Sequence, residues 1–211
     1  MSRIKSKSSQ QWLARQQRDP YVQQAQRDGY RSRAAYKLLE INQKERLLRP
    51  GMRVLDLGAA PGGWSQVAAQ AIGRSGTVIA VDLLPITPLP GVTVLQGDFT
   101  DAALLAQLHT QLAGQAVDVV LSDLAPTFSG VVAVDQPRSI YLGELAAELA
   151  VTVLKPNGGL VLKAFHGTGL DDLLRTLRQQ FVRVTTRKPP ASRAQSKEIY
   201  LVARQLRPLP A

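Results

Sequence analysis

Apolar residues along this chain fall into short runs, each closed by a Gly, Pro or Asp and followed by a longer stretch of helical spacing. Val54–Leu57, Thr77–Val81, Val92–Leu95, Val117–Leu121 and Leu160–Leu162 read as strands filling the middle of a sheet. Between them, Trp64–Ile72, Ala102–Leu112, Ile140–Leu154 and Asp171–Gln180 space their apolar residues as helices do. Ser32–Leu48 reads as a further helix, with Ala35, Leu38, Leu39 and Ile41 on its apolar face. Two β-rich runs close the chain, Phe181–Thr186 and Ile199–Ala203, joined by a basic loop and near enough to pair antiparallel. Repeated βα units predict one doubly wound α/β domain, with a mostly parallel seven-stranded sheet and an antiparallel C-terminal strand. Residues 1–29 are polar, basic and Gln-rich and read as a flexible arm; the domain spans 30–207 and a short tail 208–211.

The chain is organised around Val54 to Trp64, a buried strand, a small-residue loop and a helix start. Gly58, Gly62 and Gly63 permit close approach of a ligand to the backbone, and Pro61 stiffens the turn. Their spacing is not that of the dinucleotide fingerprint, and Asp56 lies inside the strand end. A pyrophosphate prefers bare N–H groups; a carboxylate there suits an ammonium or a sulfonium. A tight βα turn with no ligand fits the loop equally well. The same ending recurs, however: Asp56, Asp82, Asp98 and Asp123 each lie at or just after a strand. Open α/β sheets bind ligands outside the carboxyl ends of their strands, so these acids converge on one edge, with Asp82 placed to accept from ribose hydroxyls. Any one alone reads as a cap or turn residue; four together do not.

Charge adds a partner. The net charge is +10, but it is segregated. Residues 1–53 hold 13 Lys/Arg and 4 Asp/Glu, residues 54–174 hold 4 and 11, and residues 175–211 hold 9 and 1. An acidic middle between two basic ends favours a polyanion, RNA or DNA before a membrane surface. The chain has no Cys, which excludes disulfides and cysteine nucleophiles, and two separated His, which argues against a metal site. No signal peptide or membrane-spanning run is visible, so a cytoplasmic location is expected.

Lys163 ends the apolar strand Leu160–Leu162, where a lysine is costly unless paired, and Asp123 is its obvious partner. A structural ion pair and a lysine tuned for base chemistry both fit. Lys37 and Glu198 lie in the two basic ends and join this cluster only if those ends fold back over the sheet edge.

Together, Asp56–Trp64, Asp82, Gln96–Phe99, Leu121–Pro126, Val161–Lys163 and Ser196–Tyr200 resemble the FtsJ/RrmJ family of ribosomal RNA ribose 2′-O-methyltransferases from about Tyr30 to Arg204. Lys37, Asp123, Lys163 and Glu198 match that family's Lys-Asp-Lys-Glu tetrad. The resemblance implies a Rossmann-like methyltransferase fold, S-adenosylmethionine (AdoMet) as cofactor, and as substrate a uridine of 23S rRNA in the assembled 50S subunit, acted on by a monomer without metal. It implies Lys163 as proton acceptor and Gly62, Trp64, Asp82, Asp98 and Asp123 as cofactor residues, with Asp98 at the adenine. Arg31, Arg33, Arg187, Lys188, Arg193 and Lys197 would then form a phosphate-binding rim.

The chemistry agrees. A ribose hydroxyl is a poor nucleophile that loses its proton as it attacks, so a positioned base helps. A lysine must be neutral to serve, which a neighbouring cation favours. An amino-group methyltransferase would carry an Asn/Asp-Pro-Pro-aromatic motif where Asp123-Leu124-Ala125-Pro126 stands. A pyrimidine C5 methyltransferase needs a cysteine. From another class, an RNA-binding ribosome assembly factor with subordinate catalysis is the alternative.

Overall fold

The computed structural model describes residues 19–208. Its elements are α1 (Pro20–Asp28), α2 (Ala34–Glu45), β1 (Arg53–Leu57), α3 (Gly63–Ile72), β2 (Thr77–Asp82), β3 (Val92–Gln96), α4 (Ala102–Leu112), β4 (Val117–Ser122), α5 (Val132–Val153), β5 (Leu154–Phe165), α6 (Leu170–Gln180), β6 (Phe181–Arg187) and β7 (Glu198–Leu206). The seven strands lie in the order β3-β2-β1-β4-β5-β7-β6. The first five are parallel, and β7 runs antiparallel between β5 and β6, as the alternating pattern and the closing β-rich pair predict.

Alternation along each strand divides the core between the two faces of the sheet. Leu55, Leu57, Val120, Leu160, Leu162 and Leu201 face α4, α5 and α6. Val54, Val119, Leu121, Val161, Tyr200 and Val202 face α2 and α3. The same alternation carries Asp56, two residues beyond Val54, and Lys163, two beyond Val161, to the α2/α3 side.

Three elements differ from expectation. The described part of the expected arm is α1, capped by Asp19, whose side chain accepts from the Tyr21 N–H at 3.0 Å, with Pro20 at its first position. It is held by Tyr21 and Tyr30 packing on Tyr36, ring centroids 5.5 Å apart in each pair. Residues 1–18 and the tail beyond Pro208 lie outside the described residues. Second, α5 begins at Val132, well before Ile140, and contains Pro137. Its first turns survive the proline because Asp135 accepts from Ser129 N and Gly130 N at 2.8 and 3.0 Å. Gln136 also ties them to Phe165 O and Thr168 O at 3.2 and 3.1 Å. Third, β5 is far longer than Leu160–Leu162; Leu154 already pairs with Val117 before an irregularity in the ladder. Among the described residues no helix is long and apolar enough to cross a membrane.

Candidate active site

The winding of the sheet reverses between β1 and β4, leaving a crevice at their carboxyl ends. The loop after β1 forms one wall. Gly58 N and Ala59 N both donate to Val81 O, at 2.9 and 3.2 Å. A Cβ at Gly58 would sit 2.8 Å from the Leu124 side chain, so the loops after β1 and β4 meet in direct contact only because this residue is glycine. Gly62, at φ 107°, opens α3 with no side-chain cap, which leaves the first-turn N–H groups and the positive helix end to the crevice.

The carboxylates converge here with different partners. Asp56 is fully buried. One of its oxygens accepts from Ser65 Oγ at 2.6 Å, and the other, Oδ1, has no hydrogen-bond partner among the described residues. Burial, aided by the charges of Asp123 and Asp82 and opposed by the Ser65 hydrogen bond, pushes the Asp56 carboxyl up to about 7. Asp82 accepts from Ala60 N and Leu84 N, both at 2.8 Å, and so shapes the turn as well as facing the crevice. Asp98 accepts from Thr100 N at 2.9 Å and Thr100 Oγ1 at 2.7 Å, closing a turn at the outer end of the edge. Trp64 differs: its indole is buried, donates to Ala34 O at 2.8 Å and packs on Tyr200. Only its backbone, in the first turn of α3, is left for a ligand.

Beyond the loop, the four residues of the expected tetrad come together as two ion pairs. Lys163 Nζ lies 3.1 Å from Asp123 Oδ1 and donates to Asp123 O at 2.5 Å. Lys37 Nζ lies 2.6 Å from Glu198 Oε1. The basic ends do fold back over the sheet edge: α2 supplies Lys37 and β7 supplies Glu198. Burial pushes Glu198 up, but the charge and hydrogen bond of Lys37 outweigh it, and the carboxyl lies below its ordinary range. Tyr200 joins the pairs. Its hydroxyl donates to Asp123 Oδ1 at 2.9 Å, and Lys37 Nζ sits 5.7 Å from its ring centroid. Burial and the Asp123 charge hold its phenol well above the usual value, so it stays a donor. Tyr200 and Ser65 were not among the candidate site residues. Alternation could have found Tyr200, which is two residues from Glu198 and directly opposite Lys163 in the β5–β7 ladder.

The basic rim needs correction. Arg31 donates to Pro61 O, Thr87 O and Pro88 O at 3.2, 2.5 and 2.8 Å, stapling the loop after β2 to the loop after β1. Arg33 pairs with Asp19 at 2.9 Å and donates to Ala191 O at 2.7 Å. Arg187 is bound to Glu45. These guanidinium groups are committed to protein partners, which are backbone carbonyls and two acids of the N-terminal segment itself, Asp19 and Glu45. Lys188 and Lys197 are exposed, and so is Arg193, which also reaches Asp19 at 3.3 Å. Lys188 donates only to a backbone carbonyl, Ser196 O, at 3.0 Å.

Known proteins are similar to this chain. The model of the FtsJ-like methyltransferase family matches residues 30–206. A ribosomal RNA large subunit methyltransferase E of Alkalilimnicola ehrlichii is 60% identical over 93% of this chain and 94% of its own. That of Marinobacter nauticus is 55% identical over 96% and 98%. Among solved structures, one described as a ribosomal RNA methyltransferase of Plasmodium falciparum superposes with a TM-score of 0.76 at 29% identity, covering 84% of this chain and 98% of its own. Human methyltransferase-like protein 13 in complex with SAH shares the fold, with a TM-score of 0.54 at 18% identity, covering 83% of this chain and 81% of its own. With the family model spanning nearly all the described residues, and with relatives this similar along almost their whole length, the chain belongs to the FtsJ-like methyltransferase family.

Proposed function

We propose that this protein transfers a methyl group from AdoMet to the ribose 2′-hydroxyl of a uridine in large-subunit (23S) ribosomal RNA, within the assembled 50S subunit. The observation that carries the reading is the meeting of Lys163, Asp123, Lys37 and Glu198 at the mouth of the crevice.

The crevice fits AdoMet. Asp56 Oδ1 has no hydrogen-bond partner among the described residues, and the ammonium of the cofactor would pair with the ionised form of this carboxyl. Gly58, Pro61, Gly62, Gly63 and the backbone of Trp64 would flank the amino-acid end. Asp82 would take the ribose and Asp98 the adenine, with the exposed Leu83 and Leu84 offering apolar surface beside them. When bound, AdoMet supplies a methyl group already activated by its sulfonium.

The remaining work is positioning and removal of one proton. A neutral Lys163 can give one hydrogen to Asp123 O and the other to Asp123 Oδ1. Its lone pair then occupies the remaining tetrahedral position, where it can accept the 2′-hydroxyl proton. Asp123 sets the direction of that lone pair, and Tyr200 sets the carboxylate of Asp123. Lys37 and Glu198, a paired cation and anion, would hydrogen-bond the ribose. Lys188, Arg193 and Lys197 would hold phosphates of the RNA, placing it without reading its sequence.

The test is to incubate the protein with labelled methyl donor and with large subunits lacking the modification, then map the label. The reading predicts one labelled ribose 2′-oxygen on a uridine. Label on a base nitrogen or carbon, or RNA binding with no transfer, would overturn it.

A further inference from the structure

A cavity of about 470 Å³ lies between the start of α5 and the end of β5, two residues past Lys163. Of its lining, the proposed chemistry uses only Lys197. Its walls include Phe128, Val132, Gln136, Phe165, His166 and Lys197. Phe128 and Phe165 meet edge to face, centroids 5.5 Å apart at 84°. Neighbouring exposed apolar side chains mark a contact surface, and here Phe128 is 55% exposed and Val132 71%.

The cavity is continuous with the catalytic residues through the chain. Phe165 is two residues beyond Lys163 on β5, a step of about 7 Å along a strand. It lies directly opposite Glu198 in the ladder. Lys197 precedes Glu198, and its carbonyl accepts from His166 N at 3.0 Å. A ribose held at Lys163 therefore has this cavity within one nucleoside's reach.

Gln136 gives the cavity a directed polar group. Its Nε2 donates to two carbonyls, Phe165 O at 3.2 Å and Thr168 O at 3.1 Å, so both amide hydrogens are used. That fixes the amide orientation and leaves Oε1, with no hydrogen-bond partner among the described residues, as an acceptor. Gly167 permits this: a Cβ there would sit 2.7 Å from Gln136 Cδ. Aromatic faces, one fixed acceptor and an exposed lysine at the rim are what an unstacked base with its phosphate requires.

We propose that this cavity receives the base of the nucleotide whose ribose is methylated, stacked against Phe128 and Phe165, with its phosphate near Lys197. A uracil, whose ring N–H can donate to Gln136 Oε1, fits better than a cytosine, which has an acceptor at that ring position. This rests on the reading of the tetrad as a ribose methylation site and adds to it where the base goes.

The test uses the full chain and large subunits lacking the modification, with Phe128→Ala, Phe128→Trp and Val132→Asp. Phe128 and Val132 are exposed, so the variants are expected to fold. The expected result for Phe128→Ala is a rise in KM for the subunit on the order of tenfold, the effect of losing one base–aromatic stack. AdoMet affinity and Tm stay at wild-type values, and Phe128→Trp restores KM. Val132→Asp, placing a charge at the mouth, raises KM likewise. Wild-type KM in both Phe128→Ala and Val132→Asp would overturn the base site while leaving ribose methylation standing; such a result would fit a protein-docking role for the apolar patch. A wild-type protein that transfers no methyl group would overturn both.

Discussion

The Tyr200 hydroxyl donates to Asp123 Oδ1 at 2.9 Å, the same oxygen that Lys163 Nζ approaches to 3.1 Å. A buried phenol and a lysine thus share one carboxylate oxygen, and the direction of the lysine depends on both. Tyr200→Phe keeps the ring packing on Trp64 and removes only this donor. The expected outcome is a loss of about 1 kcal/mol of stability and a fall in kcat on the order of tenfold, with KM for RNA little changed. Urea unfolding and steady-state kinetics on the one variant measure both.

In the proposed cofactor site, Asp56 would link AdoMet binding to pH. Its carboxyl is raised to about 7 in the folded protein, against about 3.9 in an unfolded chain. The stability it contributes is therefore fully present below the unfolded value and is lost as pH rises through 7. Asp56→Asn removes that dependence, so Tm of the cofactor-free variant relative to wild type is expected to rise from pH 5 to pH 8. Conversely, only the ionised carboxylate can pair with the ammonium of AdoMet. Calorimetry between pH 5.5 and 7 is expected to show affinity rising with pH, by at most about tenfold per unit, and a weaker, flat profile for Asp56→Asn.

Arg31 and the exposed basic residues are expected to separate. Arg31→Ala releases the loops that flank the cofactor crevice, so it weakens AdoMet binding several-fold and leaves the salt dependence of RNA binding unchanged. Replacing Lys188, Arg193 and Lys197 together with Ala does the opposite. If each holds one phosphate of a single strand, the slope of log K against log salt becomes shallower by about 2. Titrations of each variant at several salt concentrations distinguish the two.

Asp19 ties α1 to the domain, because it caps the helix and also pairs with Arg33 and Arg193. Asp19→Ala is expected to cost about 1–2 kcal/mol, the range for a lost cap, seen as a lower Tm with an unaltered kcat.

The sheet and the positions of most candidate site residues were legible because both follow from alternation. Val54 and Asp56, Leu121 and Asp123, Val161 and Lys163 each set a polar residue two places beyond an apolar one, on the same face of the sheet and at its carboxyl edge. The resemblance added Lys37 and Glu198, which no local pattern places beside Lys163; only the return of α2 and β7 to that edge does so. Charge was less informative. Composition cannot distinguish an arginine that binds phosphate from one that, like Arg31, binds three carbonyls of its own chain. Helix α1 was obscured by its polar composition, because its stability comes from Asp19 and from Tyr36, a residue of another helix. The start of α5 was hidden by Pro137, whose cost is offset by contacts from loops distant in sequence.

Single-turnover methyl transfer by Lys163→Ala, with AdoMet and unmodified large subunits both saturating, tests the central claim most directly. Lys163 lies near the carboxyl end of β5, and its replacement is expected to leave the fold and AdoMet affinity close to wild type. The account predicts that transfer to the ribose 2′-oxygen falls by at least about a hundredfold, the lower range for loss of a general base. Transfer at the wild-type rate would contradict it.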